Sequence, residues 1–114
     1  MRFQLRKQTS VALRRRRRQL LRQIPPLDRL LRGSLIERYK PCGKPGCKCA
    51  RGRGHGPKYY LSVSHYGRQP QMDYLSQDYQ SQASECLANY HRLREILDEI
   101  CAINHELLCR REVL

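Results

Sequence analysis

Tryptophan is absent, phenylalanine occurs once, and apolar residues make up only 39% of the 114. So thin a stock of large side chains excludes an extensive hydrophobic core, and a chain this short buries a modest share of its surface in any case. A metal, a partner subunit or both would then supply part of the folding energy. Long hydrophobic runs are missing too. No stretch would span a bilayer, and no signal-peptide apolar core follows the basic N-terminus. The Arg-rich start has the composition of an organellar presequence, yet it equally suits an arm that binds nucleic acid. The reading taken is a cytoplasmic protein with no membrane contact, in which clustered cysteines are metal ligands before they are disulfides.

Acidic residues are the second scarcity. From Met1 to Arg68 only Asp28 and Glu37 stand among nineteen lysines and arginines. Beyond Arg68 the balance reverses, with eight acids against Arg92, Arg94, Arg110 and Arg111. A formal net charge of +13 favours a polyanion through phosphate neutralisation and counterion release. Its confinement to one half points to a binding surface there and an ordinary solvated helix after it.

Periodicity divides the chain into 1–32, a basic arm and helix; 33–75, a Cys-rich knuckle and hairpin; and 76–114, a long helix. Val11 to Ile24 is expected to be helical, with Leu13, Leu20, Leu21 and Ile24 apolar, and Pro25-Pro26 ends it. Arg14, Arg15, Arg16, Arg17 and Arg18 put charge on every face; they repel one another in water and are relieved by phosphate. Asp28 to Arg32 gives a short helical turn stopped by Gly33. Strands are expected at Ser34–Tyr39, Lys58–His65 and Gln71–Leu75, the last made an edge by Pro70, with a loop over Pro41–Pro57 and a turn at Tyr66-Gly67-Arg68. From Ser76 or Gln77 to about Arg111 runs a helix without Pro or Gly. Tyr79, Ala83, Cys86, Tyr90, Leu93, Leu97, Ile100, Asn104 and Leu107 step by three and four along it, with Ile96, Cys101, Ile103 and Leu108 flanking. That seam predicts packing on the N-terminal helix and a homodimer, Asn104 setting register; a hairpin within one chain is the plainer alternative. Cys86, Cys101 and Cys109 are expected as buried small hydrophobes, and His91 and His105 as surface residues.

The densest chemistry lies at Cys42-Gly-Lys-Pro-Gly-Cys47-Lys-Cys49, followed by His55. Three thiolates and an imidazole make a closed structural zinc set. Such a site would contribute roughly 10–16 kcal/mol by zinc-finger precedent. The spacing departs from the paired C-x2-C ribbon, so reduced cysteines in a phosphate-contacting Gly-rich loop remain the alternative; His65 is a rival ligand and an iron–sulfur cluster a third option. Lys44, Lys48, Arg51, Arg53 and Lys58 occupy the same stretch without an acid, and Tyr60, Tyr66 and Arg68 follow. Bases interleaved with aromatics can neutralise phosphates and stack on unpaired bases. Tyr59, alternating with Leu61 and Val63, reads as strand packing. No Ser/His/Asp set, acid pair or Walker loop occurs, so the chain reads as a non-enzyme. A thiol or zinc-dependent catalyst built on Cys47 and Cys49 is the weaker alternative.

Gly33-Ser-Leu-Ile-Glu-Arg-Tyr39, Cys42-Gly-Lys-Pro-Gly-Cys-Lys-Cys-Ala50 and His55-Gly-Pro-Lys-Tyr-Tyr-Leu61 resemble an uncharacterised prokaryotic domain family associated with transposase-like and other mobile-element genes. The likeness extends over about Leu31 to Arg111. It implies a mobile-element setting, nucleic-acid contact and a possible transposase-like partner protein, without an established activity. Arg68-Gln-Pro-Gln71 departs from the Lys/Thr/Arg-rich turn of the family pattern, and the Arg-rich arm looks particular to this chain. The combined expectation is an α+β fold: a small antiparallel sheet with a Cys/His knuckle, an N-terminal helix and a long coiled-coil-like C-terminal helix. Its function would be that of a DNA- or RNA-binding accessory protein. A structural or assembly adaptor, acting through the long helix without nucleic-acid contact, is the rival.

Overall fold

The computed structural model describes residues 4–40 and 55–114, and for Lys40, His55 and Gly56 the backbone alone. Helix α1 spans Ser10–Arg22, a 3-10 turn covers Leu27–Arg29, and strands β1 (Ser34–Lys40), β2 (His55–Val63) and β3 (Gln71–Leu75) follow. A second 3-10 turn at Gln77–Tyr79 leads into helix α2, Gln80–Cys109. The fold is α+β, and its sheet is antiparallel in the order β1-β2-β3. Two compact units result: Met1–Leu30 with Asn89–Leu114, and Leu31–Ala88.

The first unit is a helical hairpin. Thr9 caps α1, its hydroxyl oxygen accepting from the Ala12 N–H at 3.1 Å, so the helix starts one residue before the apolar pattern does. Leu13 and Leu20, seven residues apart, pack with Ile96, Ile103 and Leu107 of α2, all five fully buried, and Leu5, Ile24 and Ile100 close around them. Each such aliphatic contributes about 1.5–3 kcal/mol on burial. The packing line on α2 differs from the expected seam. Ile96 and Ile103, expected as flanks, are central, whereas Leu97 is 48% exposed and Tyr79 58%. Adjacent helical positions differ by about 100°, so two neighbouring apolar stripes cannot both face α1. Leu21 is also exposed. Cys86 is half-buried and Cys101 and Cys109 are exposed, which corrects the expectation that all three are buried. His91 and His105 are exposed, as anticipated.

Helix α2 ends in a Schellman turn. The Glu112 N–H donates to the Leu107 carbonyl at 3.0 Å and that of Arg111 to Leu108 at 2.9 Å. Arg111 occupies the left-handed position, φ 59°, where glycine is usual. The reversal brings Glu112 to α1, where its carboxylate accepts from the Ser10 hydroxyl and from Arg14 at 3.4 Å. Arg110 completes the junction, donating to Glu106 at 2.9 Å, to Ser10 at 3.1 Å and to the Gln8 carbonyl at 2.7 Å.

In the second unit, β3 matches its expected bounds, and β2 begins earlier than expected, with His55–Pro57 in the strand rather than in a loop. The register steps from Arg38↔Lys58 to Lys40↔His55, two residues on β1 against three on β2. Pro57, which has no N–H to give, falls within that irregularity. Gly33 (φ 141°) enters β1 beside β2, where a Cβ would lie 2.5 Å from the Ser62 carbonyl oxygen; only glycine fits there. The Leu31 N–H donates to the Cys86 carbonyl at 3.2 Å, tying the start of β1 to the first turns of α2, where Ala83 and Leu87 are buried.

Candidate nucleic-acid interface

Helix geometry sorts the five arginines. Arg16 makes a two-point contact with Glu99, Nε to Oε2 at 2.6 Å and Nη2 to Oε1 at 3.0 Å. The hydrogen bond to Glu99 holds its guanidinium above the usual arginine pKa, desolvation working against it and the charge of Glu99 adding to it. Arg14 reaches Glu112 and, at 2.7 Å, the Val113 carbonyl. Arg17 donates to the Asn104 side-chain oxygen at 2.6 Å and to the Leu114 carbonyl at 2.7 Å. Arg15 and Arg18 are exposed and make no hydrogen bond or ion pair among the described residues. With exposed Arg22 they lie three and four residues apart, a stripe about 10 Å long at 1.5 Å per residue.

The sheet also sorts its side chains. Directly opposed residues of an antiparallel pair share a face. One face therefore carries Ser34, Ile36 and Arg38 of β1, Ser62, Tyr60 and Lys58 of β2, and Met72 and Tyr74 of β3. It has no acid. The opposite face carries Leu35, Tyr59, Leu61, Val63 and Leu75 with both acids of the strands, Glu37 and Asp73. Those acids are engaged where they lie: Tyr39 donates to Glu37 at 2.6 Å and Gln71 to Asp73 at 2.8 Å. On the acid-free face Arg38 and Lys58 are exposed and unpaired with any carboxylate among the described residues. The Arg38 guanidinium carbon sits 5.5 Å from the Tyr60 ring centre, and Tyr60 meets Tyr74 edge-on at 5.8 Å and 72°. Tyr74 is 62% exposed and Met72 41%. Tyr66 is fully exposed, with Arg68 beside it, in the turn between β2 and β3.

The expected contact residues thus fall into groups. Lys58 and Tyr60 come together on one sheet face; Arg15 and Arg18 share a helix stripe; Arg68 lies at the turn. Arg38, Tyr74 and Met72 join the sheet face without having been expected there, and the signal that finds them is the cross-strand register. Cys42, Cys47, Cys49, Lys44, Lys48, Arg51 and Arg53 lie outside the described residues, as does the side chain of His55. Among the described residues no group of three or more His, Cys, Asp and Glu is placed to hold a metal ion, and no helix is long and apolar enough to cross a membrane.

No curated protein and no solved structure matches the chain. A family model does match, over residues 11–85, from α1 through the sheet into the first turns of α2. The match takes in the arginine helix, which the motif resemblance had set apart from the family pattern, and stops before Ile96, Ile103 and Leu107. On that span the chain belongs to the family described as a domain of unknown function, DUF6788.

Proposed function

We propose that this chain is a nucleic-acid-binding accessory protein that holds a phosphate backbone through its exposed bases. One observation carries the reading: the exposed cations of the sheet share a face with no acid, although the sheet carries Glu37 and Asp73 on its other face. The Arg15, Arg18 and Arg22 stripe adds a second cationic surface, and Lys44, Lys48, Arg51 and Arg53 extend the basic stretch in sequence. Structural zinc on Cys42, Cys47, Cys49 and His55 belongs to the same proposal, as does the mobile-element setting. Affinity for an oligonucleotide is expected to fall with a log–log salt slope of roughly −4 to −8, as when several phosphates are neutralised. Anisotropy titrations of a labelled oligonucleotide across about 50–200 mM salt measure it. A flat response, or no binding at the lowest salt, removes the reading. Zinc is tested separately by metal analysis of the purified protein and of its Cys49→Ser variant.

A second reading rests on α2. Leu97, Cys101 and Leu108 are exposed along one side of it, at spacings of four and seven. That stripe suits a homodimer, or an adaptor contact with a transposase-like partner. Sedimentation of the wild type against Leu97→Glu/Leu108→Glu distinguishes a dimer from a monomer.

A further inference from the structure

Resting on the nucleic-acid reading, we infer that the acid-free sheet face takes single-stranded nucleic acid, with an unpaired base on Tyr74, which Tyr60 braces, and phosphates on Arg38 and Lys58. The face is laid out in rows across its strands. Arg38 and Lys58 oppose one another in the first row; Ile36, Tyr60 and Tyr74 form the second; Ser34, Ser62 and Met72 form the third. Successive rows are two residues, about 7 Å, apart along a strand. A nucleotide lying along that direction can put its phosphate on the cation row and its base on the aromatic row.

One feature favours an unpaired strand over a duplex. In a duplex the base faces are covered by their neighbours, so an exposed tyrosine ring finds only sugar and phosphate there. Tyr74, 62% exposed on an edge strand, presents a ring to solvent, and Tyr60 holds it edge-on. Stacking on such a ring needs a base that has left its own stack. The cation row supplies the complementary charge. Like charges directly opposed across two strands are destabilising, and Arg38↔Lys58 is such a pair. A phosphate between them removes the repulsion, and Met72 offers a soft, polarisable flank to a neighbouring base.

The test compares a mixed-sequence single strand of about 16 nucleotides, as DNA and as RNA, with the duplex of the same length at one salt concentration. Wild type is expected to bind the single strand more tightly. Tyr74→Ala should weaken that binding about five- to a hundred-fold, the effect of losing one base–aromatic stack, and leave duplex binding unchanged. Tyr74→Phe should stay near wild type, and an unchanged thermal melt establishes that Tyr74→Ala is folded. Duplex bound as tightly as single strand, or Tyr74→Ala acting on both alike or on neither, overturns the inference while the phosphate-binding reading stands. Absence of binding to either form removes both.

Discussion

The arginine helix and the strand sheet put their positive charge to different uses. In the helical hairpin three of the five consecutive arginines are turned to the fold itself: Arg16 to Glu99, Arg14 to Glu112, and Arg17 to Asn104 and the Leu114 carbonyl. In the sheet, two cations far less conspicuous in the sequence stand clear of every described carboxylate. Local charge density is therefore a poor guide to available charge. What decides is whether a carboxylate is carried to the same face, and in an antiparallel sheet the register makes that decision.

The largest effect that separates the two regions is on the hairpin core. Ile103→Ala removes a fully buried side chain from the Leu13, Leu20, Ile96 and Leu107 cluster and is expected to lower stability by about 3 kcal/mol in urea unfolding. Single-strand affinity at a temperature where the variant is folded should not change, because the sheet face lies in the other unit. A matching loss of affinity would show that the two regions do not act separately.

Arg16→Ala and Arg38→Ala form a sharper pair. The first leaves the Glu99 carboxylate, 14% exposed, without its two-point partner and, with Arg16 itself 39% exposed and screened by solvent, should cost about 1 kcal/mol. The second removes an exposed cation opposite Lys58 and should change stability by less than about 0.5 kcal/mol. On oligonucleotide binding the order reverses, with Arg38→Ala the more damaging. Equal effects in either assay would erase the distinction between structural and available arginines.

Little of this division was legible in the sequence, and the reasons are physical. Alternation and turn residues located Gln71–Leu75 to the residue and β1 to within one, because both are local signals. The partners of the arginines are 83 to 98 residues away at Glu99 and Glu112, and no local pattern joins them. Ile100 and Leu107 of the expected seam on α2 do pack in the core, but Ile96 and Ile103 take the places given to Leu97 and Asn104, since Leu93, Leu97 and Ile100 make an apolar stripe as regular as Ile96, Ile100 and Ile103. Choosing between them needs the partner helix. The sheet face was seen only in part: Tyr60 and Lys58 follow from alternation in β2, whereas Arg38 and Tyr74 join them only through register.

A smaller effect concerns the turn that delivers Glu112 to Arg14. Arg111 holds a left-handed backbone that costs a non-glycine residue about 1 kcal/mol. Arg111→Gly should therefore stabilise the chain by a little under that amount, since glycine also gains freedom in the unfolded state. A destabilised variant in thermal unfolding would mean that the Arg111 side chain holds the turn in some other way.

The smallest effect on stability is the most direct probe of the exposed stripe. Arg15→Ala/Arg18→Ala removes two side chains without a described partner, so unfolding should shift by less than about 0.5 kcal/mol per site. Alanine is also the better helix former, which pushes any residual change toward stability. If both arginines meet phosphates, the salt slope should become shallower by about 1.4 on a single strand or 1.8 on a duplex. A slope that does not move would confine phosphate contact to the sheet face and the basic Cys-rich stretch. The long run of arginines would then serve the hairpin through Arg14, Arg16 and Arg17, with Arg15 and Arg18 no more than the solvated side of a helix.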